Sequence, residues 1–135
     1  MLRLTRQVYD AAVDHAREGA PAEVCGVLGG DRGATSHART LHHAENVAAN
    51  PRVEYRIDPT EQLELMEEVE TSGEEVVGFY HSHPRGPAEP SPTDRRRATW
   101  TGRSYVIVVL DGDHPYVGSW RWTGEAFERE AVALV

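Results

Sequence analysis

Lysine is absent from this sequence: all of its fourteen basic residues are arginine. The side chains therefore offer no ammonium group to which another protein could be joined through an isopeptide bond. Cysteine is almost absent as well. The single residue Cys25 excludes an internal disulfide and is consistent with a reducing compartment.

Long apolar runs are also missing. No stretch approaches the roughly 20 apolar residues that cross a membrane, and the start of the chain has no apolar run of signal-peptide length. We therefore expect an unprocessed cytoplasmic protein with no membrane partner. A net charge of −8 argues against general binding to nucleic acids. The 135 residues are expected to form one soluble domain, 1–135, around one substantial core.

Two histidines with one residue between them follow a short apolar run, 74–80, that predicts a buried strand. Alternate residues of a strand share a face, so His81 and His83 point to the same side and Ser82 to the other. Pro84 favours an extended backbone at His83 and keeps the strand straight. Such a pair alone is more often a surface or core feature, but on a rigid strand it supplies two of the three ligands that a metal site needs.

A third ligand candidate lies on a predicted helix start. In the segment 91–94, Ser91 occupies the N-cap position, Pro92 the first helical position and Asp94 the third. Unpaired N–H groups and the helix dipole favour an ionised carboxylate in this first turn. The segment by itself also fits an ordinary helix cap. Two imidazoles and one carboxylate, with a fourth position open to water, are typical of a catalytic zinc site rather than a structural one.

These residues together resemble the signature of a known family. The order Glu23, His81-Ser82-His83, seven residues, Ser91, two residues and Asp94 resembles that of the JAMM (MPN+) metallopeptidases. The segment 21–30 also resembles the strand of that family that carries its glutamate. The resemblance extends from the first predicted helix to the strand after Tyr105, and every catalytic position matches.

Strand-like runs alternate with three helical segments, which predicts an α/β domain with a central mixed sheet flanked by helices. The resemblance implies the three-layer, cytidine-deaminase-like arrangement of JAB1/MPN proteins. Deaminase chemistry is not expected, since those zinc sites use paired cysteines. Helices are predicted over 5–18, from a capping box at 58–61 to residue 71, and from Ser91. Leu63, Met66 and Val69 would form the apolar stripe of the second helix, with Leu65 as a further candidate.

The remaining segments are predicted to be strands and turns. Strands are predicted over 24–28, 34–47, 53–57, 105–110 and 116–122, with an edge strand over 127–135, and turns over 29–33 and 111–113. Cys25 shares its strand face with Glu23, and a small, buried, apolar role is expected for it. The histidines at 15, 37, 42 and 43 are expected to be neither ligands nor catalytic residues.

The resemblance implies a role for each site residue. One Zn²⁺ ion, held by His81, His83 and Asp94, would lower the pKa of a bound water to about 7 and polarise the scissile carbonyl. Glu23 would take the proton from that water and pass it to the leaving amine. Ser91 would cap its helix through its oxygen and donate its O–H to the oxyanion.

The resemblance also implies a function: a zinc metallopeptidase, similar to a deubiquitinating isopeptidase, that hydrolyses a peptide or isopeptide bond. Its partner would be the C-terminal tail of a ubiquitin-like or sulfur-carrier protein. The residues themselves support only metal-assisted amide hydrolysis, and the substrate class comes from the resemblance. The alternative is a catalytically inactive MPN-fold scaffold for protein–protein interaction, and the complete ligand set together with Glu23 counts against it. The oligomeric state is left open.

Overall fold

The structure is a computed structural model that describes residues 1–110, 112 and 114–135. The turn predicted over 111–113 falls on residues 111 and 113 and so lies outside the described residues. The helices are α1 (Arg6–Gly19), α2 (Pro59–Thr71) and α3 (Pro92–Arg97). The strands are β1 (Leu2–Leu4), β2 (Cys25–Asp31), β3 (Ser36–Ala44), β4 (Glu75–His83), β5 (Ser104–Val109), β6 (Tyr116–Trp122), β7 (Phe127–Glu130) and β8 (Val132–Leu134). No helix in the described ranges is long and apolar enough to span a membrane.

The strands form one mixed sheet with the order β7-β6-β5-β4-β2-β3-β1-β8. β4 lies near its centre, antiparallel to β2 and parallel to β5. β7 and β8 lie at opposite ends of this order, although only Ala131 separates them in the chain. The sheet therefore curves until its two margins approach each other at Ala131.

The two longer helices cover opposite faces of the sheet. Because side chains alternate along a strand, Tyr80 of β4 joins the core under α1, whereas its neighbour Phe79 joins the core under α2. Residues from each helix complete these two cores: Val8, Ala12, Val13 and Ala16 from α1, and Met66 and Val69 from α2. The result is the expected arrangement of a mixed sheet between helices.

Close contact between strands explains one of the glycines of β2. A Cβ atom on Gly26 would lie 2.6 Å from the hydroxyl oxygen of Tyr80 and closer still to the carbonyl oxygen of His42. Only a residue without a side chain leaves room for that tyrosine beneath β2. The turn predicted over 29–33 begins too early, because β2 continues to Asp31, which pairs with His37 of β3.

The strand predicted over 53–57 is wrong. These residues join no ladder. The N–H of Val47 donates to the carbonyl of Arg56 at 2.9 Å, and the side chain of Asn46 makes further bonds of the kind that a neighbouring strand would make. Its Nδ2 donates to the carbonyl of Glu54 at 3.0 Å, and its Oδ1 accepts from the backbone N–H of Arg56 at 3.1 Å. The segment is therefore an irregular loop held against the start of β2.

Three further predictions need correction. Asp58 caps α2 by accepting the N–H of Thr60, but Glu61 accepts from the N–H of Glu45, so no reciprocal capping box forms. Leu63 is exposed and does not belong to the apolar stripe of α2, whereas the further candidate Leu65 does. The edge strand predicted over 127–135 is two strands, because the chain changes from one margin of the sheet to the other at Ala131.

Candidate metal centre

The two histidines lie at the C-terminal end of β4, on the face that carries α2. His81 and His83 are buried, and their Nε2 atoms are 3.1 Å apart. The alternation expected from the sequence places Ser82 on the other face, where its Oγ accepts the backbone N–H of Val24 at 2.9 Å. The same strand therefore aims two imidazoles into the site and anchors the segment that carries Glu23.

Asp94 reaches the histidines from the first turn of α3. Ser91 Oγ accepts the N–H of Asp94 at 3.0 Å, and Asp94 Oδ2 accepts the N–H of Ser91 at 2.8 Å. This reciprocal capping fixes the carboxylate with Oδ2 3.1 Å from His81 Nε2 and 3.2 Å from His83 Nε2. A helix of six residues thus positions one potential ligand with two hydrogen bonds.

The spacing of these three atoms fits a shared ion. Zinc binds nitrogen and oxygen ligands at about 2.0–2.2 Å, so tetrahedral geometry would place the ligand atoms about 3.3 Å from one another. His83 Nδ1 lies 2.9 Å from the carbonyl oxygen of Pro87 and must carry a proton to donate there, which leaves Nε2 as a lone pair in the neutral ring. Two imidazole nitrogens that lie close to one carboxylate oxygen form a site suited to a cation.

The charge states of two of these groups, Asp94 and His81, suit a cation site. Burial would raise the pKa of Asp94, but hydrogen bonds to both imidazoles and to the Ser91 N–H hold it well below its usual range. Burial lowers the pKa of His81, which favours the neutral ring that a metal needs. Burial also acts to lower the pKa of His83, yet Asp94 and the Pro87 carbonyl raise it overall. The carboxylate is therefore an anion at neutral pH.

Glu23 lies beside the histidines immediately before β2. Its backbone is held on both sides: its N–H donates to the carbonyl of Pro51 at 2.7 Å, and its carbonyl accepts from Asn46 Nδ2 at 2.9 Å. One carboxylate oxygen of Glu23 and a ring nitrogen from each of His81 and His83 lie within 4.8 Å of one another. These three residues therefore form a group that could hold a metal ion.

The carboxyl group of Glu23 is buried and, in the described part of the chain, lacks a hydrogen-bond partner at one of its oxygens. It is 5% exposed, and its Oε1 has no hydrogen-bond partner among the described residues. Burial raises its pKa from the ordinary 4.5 to about 7, an effect that His83 reduces and Asp94 and Glu54 increase. A group with a pKa near the working pH can both accept and release a proton, as general acid–base catalysis requires.

Ser91 and Glu23 both line a cleft of about 440 Å³ that opens beside His83. The remaining walls come from the chain between α1 and Glu23, from the start of the irregular loop and from the loop after β4: Pro21, Arg52, Val53, Pro84, Arg85, Gly86 and Pro87. Because the Ser91 oxygen acts as an acceptor toward Asp94, its O–H stays free to donate into the cleft. The structure thus brings together all five side chains that the sequence singled out.

Sequence reasoning missed the residues that support this site. The ring of Tyr55 stacks on His81 with centroids 4.2 Å apart and planes at 24°. Asn46 holds both Glu23 and the loop that carries Tyr55. Neither residue carries a local sequence signal, since each acts through contacts with a distant segment. Cys25 is fully buried with Ala44 and Ile57, in the apolar role expected for it.

Known proteins are similar to this chain in both sequence and fold. Residues 5–123 match the family Prok-JAB, prokaryotic homologs of the JAB domain. The desampylase of Haloferax volcanii is 46% identical over 140 residues, covering 98% of this chain and 96% of that protein. The CysO-cysteine peptidase of Mycobacterium tuberculosis is 35% identical over 136 residues, covering 100% and 92%. A JAB1/MPN domain protein from Archaeoglobus fulgidus, 19% identical, superposes with a TM-score of 0.65 over 99% of this chain and 97% of that one. The last likeness confirms the predicted fold class.

Proposed function

The chain belongs to the JAMM/MPN+ family, among the prokaryotic homologs of the JAB domain, and on that premise we propose that it is a zinc-dependent peptidase of ubiquitin-like or sulfur-carrier conjugates. It would hydrolyse the peptide or isopeptide bond at the C-terminal tail of such a protein. One observation carries the proposal: ligand atoms of His81, His83 and Asp94 converge within 3.2 Å beside the buried carboxyl of Glu23. Relatives named desampylase and CysO-cysteine peptidase support the substrate class.

Three side chains would hold one zinc ion per chain: His81, His83 and Asp94. When bound, zinc supplies Lewis acidity and a water that loses its proton near neutral pH. Glu23, whose carboxyl lies beside the histidine nitrogens, would accept that proton and deliver it to the leaving amine. Ser91 donates its O–H to the carbonyl oxygen as negative charge develops there.

Two features of the surroundings favour this chemistry. Tyr55 covers one face of His81 and limits the access of water to the ligand. The Pro87 carbonyl fixes the tautomer of His83, so that Nε2 stays available. The inactive scaffold is not favoured by any of these contacts. The single domain 1–135 and a cytoplasmic location stay predictions.

The decisive experiment combines metal analysis with cleavage. We expect about one zinc per purified chain, and cleavage of a ubiquitin-like protein linked through its C-terminal glycine to a lysine side chain. Chelator should abolish cleavage and added zinc should restore it. His81→Ala and Asp94→Ala should each lower bound zinc, whereas His37→Ala, a histidine change on β3, should not. Cleavage that ignores chelation would rule out a metallopeptidase, and unchanged zinc in both variants would mean that the ligands are misassigned.

Ser91 can be tested separately from the metal. Ser91→Ala removes a helix cap, which costs about 0.5–2 kcal/mol, and an oxyanion donor, whose loss typically lowers kcat by about 10²–10³-fold. Asp58→Ala is the matched control, because it removes the cap of α2 and touches no site residue. Both variants should lose similar stability, but only Ser91→Ala should lose turnover per folded molecule. Equal turnover in the two would leave Ser91 as a cap alone.

A further inference from the structure

Two arginines line the cleft in which the proposed reaction takes place. Arg52 and Arg85 share its walls with Glu23, His83 and Ser91. Among the described residues, no other arginine lines this cleft. Both side chains are exposed. Their positive charge stands out in a chain whose net charge is −8.

The backbone ties Arg85 to a ligand residue. The N–H of Gly86 donates to the carbonyl of His83 at 2.8 Å, which closes a tight turn with Pro84 and Arg85 at its centre. Gly86 has a φ of +82°, a conformation that residues with a side chain rarely adopt. The position of the Arg85 backbone is therefore set by the same residue that faces the metal centre.

The backbone ties Arg52 to the proposed proton carrier in a similar way. The carbonyl of its neighbour Pro51 accepts the N–H of Glu23 at 2.7 Å. The N–H groups of Val53 and Glu54 both donate to the carbonyl of Asn50 at 3.2 Å, so Arg52 lies within a closed turn. One arginine is thus fixed relative to Glu23 and the other relative to His83.

Neither guanidinium is paired with another described residue of the protein. The side-chain ion pairs of arginine in the described part of the chain involve Arg39, Arg97 and Arg121, each with an acidic partner. Arg52 and Arg85 make no side-chain hydrogen bond or ion pair with a described residue, so both can pair with a ligand. A guanidinium binds a carboxylate through two parallel hydrogen bonds. Val53, 64% exposed, adds an apolar surface next to Arg52.

We propose that Arg52 and Arg85 recognise a carboxylate on the amine side of the scissile bond, so that the cleft selects substrates whose leaving amine belongs to an acidic group. This inference rests on the proposed function and narrows its substrate class. The amine side is assigned to this cleft because Glu23, which delivers the proton to the leaving amine, forms part of its wall. The carboxylate can be an α-carboxylate or an acidic side chain, since both present the same two oxygens.

The test uses four substrates: a ubiquitin-like protein whose C-terminal glycine is joined to the α-amine of glutamate or glutamine, each as the free acid or the α-carboxamide. We expect kcat/KM to be about tenfold higher for the preferred carboxylate than for its neutral counterpart. Comparing glutamate with glutamine, and acid with carboxamide, identifies which carboxylate is recognised. Arg52→Gln and Arg85→Gln should each reduce the preference about threefold, and the double variant should remove it. The change should appear mainly in KM, because the contact exists before and during the reaction, and the preference should weaken at high salt.

Arg3→Gln is the matched control, since it removes one positive charge from β1, three positions from β4 in the sheet order. It should leave the preference unchanged. An equal loss of preference in Arg3→Gln would assign the effect to net charge and overturn the inference. Hydrolysis of all four substrates at the same rate, or of none of them, would overturn it while leaving the proposed function intact. Only failure of the zinc-loaded protein on the lysine-linked substrate as well would overturn both.

Discussion

Replacing Glu23 with glutamine should stop hydrolysis and, at the same time, stabilise the metal-free protein at neutral and alkaline pH. Glutamine has nearly the same shape but cannot carry a proton between water and an amine. Loss of a general acid–base group lowers turnover by about 10²–10⁴-fold. The stability effect arises because burial raises the pKa of this carboxyl from 4.5 to about 7.

The direction and size of the stability effect follow from that pKa. Between pH 4.5 and about 7 the unfolded chain loses a proton from Glu23 that the folded chain retains, so the free energy of unfolding falls as the pH rises and levels off above 7. At about 1.4 kcal/mol per pH unit, this limits the effect to roughly 3 kcal/mol. Because the carboxyl borders a cleft that is open to solvent, we expect about half, ~1–2 kcal/mol.

Urea unfolding of wild type and Glu23→Gln at pH 5 and pH 8, both in chelator, measures this difference. The wild type should lose ~1–2 kcal/mol more than the variant over this interval, since the other titrating groups are common to both proteins. Glu128→Gln, an exposed glutamate of β7, is the matched control and should behave as wild type. Zinc-loaded samples of the same proteins provide the turnover comparison.

Parallel pH profiles for wild type and Glu23→Gln would refute the reasoning about burial, because they would mean that the carboxyl ionises alike in the folded and unfolded chains. Retained turnover would remove Glu23 from the mechanism whatever the stability result. Turnover lost together with bound zinc would instead make Glu23 a ligand, which its place within 4.8 Å of both histidine nitrogens also permits.

Three further substitutions test the framework around the site. Ser82→Ala removes the acceptor for the buried N–H of Val24 and should cost about 1–3 kcal/mol; an unchanged urea midpoint would contradict this. Burial would raise the pKa of Glu130, but two serine hydroxyls and an arginine lower it overall, so its contribution to stability exists above pH 4.5 and is lost as the pH falls through the lowered value. Glu130→Gln should flatten the acid side of the stability profile, and an unaltered slope would disprove the assignment. Gly26→Ala should cost about 1–3 kcal/mol or more, because its methyl group meets Tyr80; a melting temperature equal to wild type would show that the strands can separate.

Features set by neighbouring residues were predictable from the sequence. Alternation along a strand placed His81 and His83 on one face, and the cap at Ser91 followed from the preference of a helix for its first residues. The meeting of β4 with α3 and with Glu23 is different, because no local rule relates segments so far apart in the chain. There the prediction depended on the resemblance to a known family.

The failures have a common physical origin in contacts between distant segments. The composition of 53–57 favours a strand, but a strand requires a partner, and the side chain of Asn46 takes that place. Tyr55 consequently lies in a loop, where it can turn its ring onto His81. The division at Ala131 is invisible locally for the same reason, since it depends on where the two margins of the sheet lie.

Because of that division, the short segment 127–134 acts as a clasp: it joins the two opposite margins of the sheet. The N–H of Leu2 donates to the carbonyl of Ala131 at 2.8 Å, so the first strand is fastened at the same point. Cleavage before residue 127 would release β7 and β8 together, so that β6 and β1 would each lose a neighbouring strand. The two rows of unpaired peptide groups left on β6 and β1 are templates for aggregation. Damage to this clasp should therefore appear as precipitation of the protein before the distant metal centre is disturbed.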